Sequence, residues 1–92
     1  MMLASHVKAI LMDHWDPVGI RNVPKAKRQY DPFVAPILRE VIAGAPAETI
    51  AERLFSFETE AMKLGGDRDR ALYVAEKLLA ARDAMTIERD EE

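Results

Sequence analysis

The sequence contains no cysteine. That excludes the disulfide framework on which many small secreted domains depend, and it excludes any thiolate zinc or iron–sulfur site. Long apolar runs are also missing. The stretch from Met1 to Met12 is interrupted by His6 and Lys8 and has no basic segment before it, so it reads as a first helix rather than a signal peptide. Nothing approaches the roughly 20 apolar residues of a membrane span. The net charge is only −3, which gives the chain no overall attraction to nucleic acid. The two histidines, His6 and His14, fall on one helix. At about 1.5 Å per residue they stand roughly 12 Å apart along its axis, too far to share an ion. The Glu-x-x-His pattern of di-iron bundles is absent as well.

What the chain does have is enough apolar content to fold. Of its 92 residues, 49 % are hydrophobic and 32 % charged, far from the composition of a disordered chain. A chain this short supports one core. The expectation is a soluble, cytoplasmic, all-α protein: a single helical domain over residues 1–85, followed by a charged, frayed tail over 86–92.

Periodicity divides the domain into four short helices. Leu3, Val7, Ile10, Leu11 and His14 form one face of a helix from about Leu3 to His14, which Asp16-Pro17 and Gly19 stop. Asp31-Pro32 opens a second helix, with Asp31 as its cap and Pro32 in its first position. Pro36 either fits its first turn or moves its start to about residue 36. Val34, Ile37, Leu38, Val41 and Ile42 supply its buried stripe, and Gly44 ends it. Ile50, Leu54, Phe57, Ala61 and Leu64 line a third helix, with Pro46 in its first turn and Gly65-Gly66 at its end. Asp67 caps a fourth, which runs through Ala71, Leu72, Val74, Ala75, Leu78, Leu79 and Arg82 to about Ala84. The short Gly65–Asp67 link makes the last two an antiparallel hairpin. Alanine-rich faces suit a compact bundle.

Catalytic signatures are thin. Ser5 and Ser56 lack an activating context. Glu58 and Glu60, two apart on a helix, point to different faces, and Glu48 with Glu52 reads as solvated surface. Gly65-Gly66-Asp67 precedes a helix, but Asp67 and Asp69 already place negative charge where a phosphate would sit. These features argue against an enzyme, and no cofactor or metal is expected.

The segment from Trp15 to Asp31 stands out. It is longer than most connections in compact domains and holds Arg21, Lys25, Lys27 and Arg28 with no acidic residue between Asp16 and Asp31. Trp15 and Tyr30 flank it. Basic residues among aromatics suit nucleic-acid phosphates and bases; equally, the two rings can pin the loop to the core while its charges stay solvated. Val18, Ile20, Val23, Phe33, Phe55, Met62 and Tyr73 exceed what the helix stripes require, so they offer either a partner surface or a cap on the bundle's open end.

Trp15-Asp16-Pro17-Val18-Gly19-Ile20, then Tyr30-Asp31-Pro32-Phe33-Val34-Ala35-Pro36-Ile37, then Gly44-Ala45 resemble a family of small helical bacterial proteins of unknown function. Its members share a W-D-P-[IV]-G-[IV] turn, a Y-D-x-[YF] helix start and a terminal helical hairpin, and the likeness spans most of residues 7–80. The resemblance implies architecture and a bacterial origin, together with a likeness in size and style to immunity or accessory proteins that bind another protein. The basic stretch Lys25 to Arg28 departs from the acidic or polar residues such a pattern carries before its tyrosine.

The reading that follows is a non-enzymatic protein-binding module whose partner is another protein or a second copy of itself. Its binding residues are Trp15, Asp16, Arg21, Lys25, Lys27, Arg28, Tyr30 and Asp31, with Asp16 and Asp31 capping backbone N–H groups and the four cations steering an acidic partner. Nucleic-acid binding through the same cations is the alternative. A small ligand pocket near Trp15, Tyr30 and His14 is another.

Overall fold

Apolar residues at three- and four-residue spacing give helices whose stripes must be buried against one another, and the computed structural model shows that arrangement. It describes residues 3–20, 22–26 and 28–90, and only the backbone of residues 26 and 85–90. Among these residues there are four helices and no strand. They are α1 (Leu3–Ile10), α2 (Asp31–Ala43), α3 (Ala47–Ser56) and α4 (Arg68–Asp90). The chain is an all-α bundle whose last two helices form an antiparallel hairpin, the most extensive pairing in the fold. No helix is long and apolar enough to cross a membrane among the described residues.

Two helices do not end where their α-helical period would place them. Each is prolonged by a π turn: Leu11–Trp15 after α1 and Phe57–Ala61 after α3. Asp16 N–H reaches the Leu11 carbonyl at 2.9 Å, and Met62 N–H reaches that of Phe57 at 2.9 Å. A π turn takes more residues per revolution than an α turn, so a side chain four positions on stays in line instead of drifting around the helix. Val7, Leu11 and Trp15 are therefore buried in one file, and so are Ile50, Leu54 and Glu58.

This corrects several positions in the expected stripes. His14 is exposed and sets its ring edge against Tyr73, 6.1 Å between centroids. Ala61 and Leu64 leave the α3 stripe for the surface, because the π turn gives their place to Glu58. Ile42 is 64 % exposed at the end of α2.

The helix starts also differ from expectation. Tyr30, not Asp31, is the residue flanking α2, and it makes no side-chain capping bond. Asp31 is the first helical residue, which moves Pro32 to the second position, and its carboxylate pairs with Lys8 at 3.0 Å. Pro36 neither sits in the first turn nor resets the start; α2 runs through it. The donor it lacks would have served the carbonyl of Pro32, an exposed residue within reach of water. Pro46 flanks α3 from outside, with extended backbone, and its carbonyl takes the Thr49 and Ile50 N–H groups at 3.0 and 3.2 Å.

The other ends follow the sequence closely. Gly44 closes α2 at φ 78°, where Arg82 of α4 donates to the Val41 carbonyl at 3.2 Å and places a cation at the negative end of the helix. Asp67 caps α4 by accepting the Arg70 N–H at 3.0 Å. Gly66 is required twice over: its φ is 83°, and a Cβ there would strike the Phe55 ring. Helix α4 continues past Ala84 to Asp90 because neither glycine nor proline interrupts it.

The buried residues form one cluster drawn from all four helices and both ends of the long loop: Val7, Leu11, Trp15, Tyr30, Ile37, Val41, Ile50, Leu54, Ala71, Val74, Ala75 and Leu78. Ala71 and Ala75 let α4 lie close against its neighbours.

Candidate functional site

The long loop is built from its ends inward. At its start Asp16 adopts the left-handed conformation, φ 30° and ψ 59°, that a short polar side chain tolerates better than most. This turn ends α1 and leaves the Asp16 carboxylate facing the loop's other end. Its Oδ1 accepts the Ile20 N–H at 2.7 Å and the Tyr30 hydroxyl at 2.7 Å. The Tyr30 oxygen in turn accepts the Val18 N–H at 3.2 Å. One carboxylate and one phenol thus close a loop of some 14 residues with three hydrogen bonds. Burial is the main reason the Tyr30 phenol is held well above its ordinary pKa; the Val18 N–H works against this, and the hydrogen bond and charge of Asp16 add to it.

Aromatic packing anchors the same ends. The Trp15 ring lies 5.3 Å from Tyr30, 5.9 Å from Phe33 and 6.4 Å from Phe57, while Phe33 and Phe57 lie 4.6 Å apart. Burying one tryptophan removes about 150–250 Å² from water, about 4–6 kcal/mol of transfer free energy before ordering costs. The indole N–H cannot be left unpaired at that depth, and it donates to Glu58 Oε2 at 2.6 Å. The other carboxylate oxygen, Oε1, accepts the Asp67 N–H at 2.8 Å. Glu58 thereby joins the end of α1, the end of α3 and the start of α4.

The eight residues expected to bind a partner separate into distinct groups. Trp15, Asp16 and Tyr30 come together, but inside: both rings are buried and Asp16 is partly so. Asp31 is occupied by Lys8. Lys25 and Arg28 are exposed. Arg21 and Lys27 lie outside the described residues. Glu58 was not among the expected residues, and its only sequence signal is indirect: a tryptophan at a helix end needs a partner for its N–H once buried.

Two depressions border these residues. A groove of about 350 Å³ runs between α1 and the loop, lined by Ser5, Lys8, Ala9, Met12, Asp13, Ile20 and Val23. A smaller cleft of about 260 Å³ is walled by Trp15, Pro17, Glu58, Leu64, Gly66, Asp67 and Arg70. It involves neither Tyr30 nor His14, so the expected trio of Trp15, Tyr30 and His14 does not line it. Among the described residues no group of three or more histidine, aspartate or glutamate side chains is placed to hold a metal ion.

Compared with family models, curated proteins and solved structures, the chain matches none.

Proposed function

We propose that the chain is a non-enzymatic protein-binding module of the bacterial cytoplasm, of the accessory or immunity type, which presents the loop between Trp15 and Asp31 to a partner protein. Kinship with the small helical bacterial proteins that carry W-D-P-[IV]-G-[IV] and Y-D-x-[YF] motifs is part of this proposal.

One observation carries it. The loop's polar and aromatic anchors, Trp15, Asp16 and Tyr30, are all engaged internally, yet Val18 and Val23 remain 43 % and 46 % exposed beside exposed Lys25 and Arg28. A loop held at both ends presents its apolar and basic groups already ordered, so a partner does not have to supply that ordering entropy. The adjacent groove offers Ala9, Met12 and Ile20 as an apolar floor, and the cations favour encounter with an acidic partner.

Co-purification from the native host tests this. Tagged wild-type chain is compared with a Val23→Asp, Lys25→Ser, Arg28→Ser variant whose far-ultraviolet circular dichroism matches the wild type. The expected result is a partner protein retained by the first and lost by the second. Recovery of identical partners by both overturns the proposal, and recovery of nucleic acid by the wild type alone replaces it with the nucleic-acid reading.

A further inference from the structure

A carboxylate withdrawn from water costs several kcal/mol unless a cation or a full set of donors replaces its hydration. Glu58 is 3 % exposed. Its two partners, the Trp15 indole N–H and the Asp67 backbone N–H, are both neutral. A carboxylate accepts at about four positions, so half its capacity is unused. Among the described residues no cation forms an ion pair with it. The other charged groups lining its cleft are Asp67 and Arg70, which stand 3.9 Å apart and offset each other. Glu58 and Asp67 against Arg70 leave the lining with one net negative charge.

A second observation is independent of charge. The two π turns of the bundle deliver Trp15 and Glu58 to this same cleft, and π turns inside helices occur frequently at functional sites. Trp15, Pro17 and Leu64 give the cleft apolar walls, and its volume of about 260 Å³ admits a short alkyl chain with a charged end.

We propose that this cleft binds a compact organic cation, an alkylammonium group whose charge pairs with Glu58 and whose methylenes lie against Trp15, Pro17 and Leu64. A free amine and a lysine side chain present the same chemistry here. The site is separate from the loop surface, so its failure would leave the proposed partner binding untouched.

Trp15 is the only tryptophan, so intrinsic fluorescence reads the cleft directly. The full chain is titrated with butylammonium, with butanol as its neutral counterpart, with Nα-acetyl-lysine amide, and with potassium chloride as the ionic-strength control. The proposal expects a saturable change at millimolar concentration or below with one or both ammonium compounds and none with butanol or salt. Stronger binding of the lysine derivative identifies a protein side chain as the source; stronger binding of butylammonium identifies a free amine. Glu58→Gln should weaken binding about tenfold or more, the range for a hydrogen bond to a charged group. Leu64→Lys, at an exposed rim position, supplies a cation in cis and should block the titration without unfolding the chain. No saturable change in the wild type, an equal response to butanol or salt, or undiminished binding in folded Glu58→Gln or in Leu64→Lys overturns the proposal.

Discussion

The ends of α1 and α3 are built alike and stabilised differently. Both pass into a π turn, both close with a non-glycine residue in left-handed conformation (Asp16 at φ 30°, Lys63 at φ 60°), and each delivers one side chain to a single buried hydrogen bond between Trp15 and Glu58. At the α1 end the left-handed residue also holds the following loop through its carboxylate. At the α3 end Lys63 is exposed, and the turn is held by backbone bonds, Leu64 N–H to the Glu58 carbonyl at 2.8 Å among them. One end is fixed by side-chain chemistry, the other by backbone geometry.

The largest test of this pairing removes the shared ring. Trp15→Ala should cost about 3–5 kcal/mol through the cavity it leaves, and more because Glu58 loses a donor. A domain of this kind has about 5–15 kcal/mol in total, so urea unfolding should show most of its stability gone. Ile42→Ala, at a position the hydrophobic pattern places in the core but the structure exposes, should change stability by no more than about 0.5 kcal/mol. Comparable losses in the two variants would mean that the core is not centred on Trp15.

The next test asks whether the two ends are joined by the hydrogen bond or only by proximity. Trp15→Phe keeps a ring and removes the donor; Glu58→Gln keeps the shape and removes the charge. In a double-mutant cycle the coupling energy should fall at about 1.5–3 kcal/mol, the value for a hydrogen bond to a charged group. Additive effects would leave the ends independent.

The two ends also differ in how far they could be read from sequence, for a physical reason. Trp15-Asp16-Pro17-Val18-Gly19 carries a stop that proline and glycine write locally, and α1 does end there. The α3 pattern pointed to Phe57, Ala61 and Leu64 because an α-helical period excludes a charged residue from the apolar file. The π turn changes that period, and nothing local to Phe57–Ala61 announces it. Glu58 becomes an interior residue only through partners far along the chain, the Trp15 indole and the Asp67 N–H. The same holds for the loop. Its anchors were visible as residue types, but which of them face inward depends on Asp16 and Tyr30 meeting across 14 positions.

High pH probes the α1 end alone. Tyr30 is held above the ordinary phenol pKa of about 10, so the folded state keeps its proton to higher pH than the unfolded chain does. Stability from this source is therefore complete below about pH 10 and declines above it, by up to about 1.4 kcal/mol per pH unit. In a Tyr73→Phe background, which leaves Tyr30 as the single tyrosine, phenolate absorbance should rise together with the loss of helical circular dichroism. Phenolate formation in a chain that stays folded would show that the Asp16–Tyr30 closure opens independently of the bundle.

The smallest effect tests the comparison most directly, because one substitution should act in opposite directions at the two ends. A non-glycine residue in left-handed conformation costs roughly 1–2 kcal/mol that glycine does not, although glycine gives back part of this through the freedom it adds to the unfolded chain. At Lys63 little is lost on replacement beyond a favourable charge at a helix C-terminus, worth about 0.3 kcal/mol at an exposed site. Lys63→Gly should therefore stabilise by about 0.5 kcal/mol. Asp16→Gly gains the same relief but removes the acceptor for the Ile20 N–H and the Tyr30 hydroxyl, a loss of about 2 kcal/mol when a partly buried donor is left unmet. It should destabilise by about 1 kcal/mol. Chemical denaturation of the two variants side by side resolves the signs, and stabilisation by both would mean that the Asp16 carboxylate serves as a tolerated residue in a turn and not as the clasp of the loop.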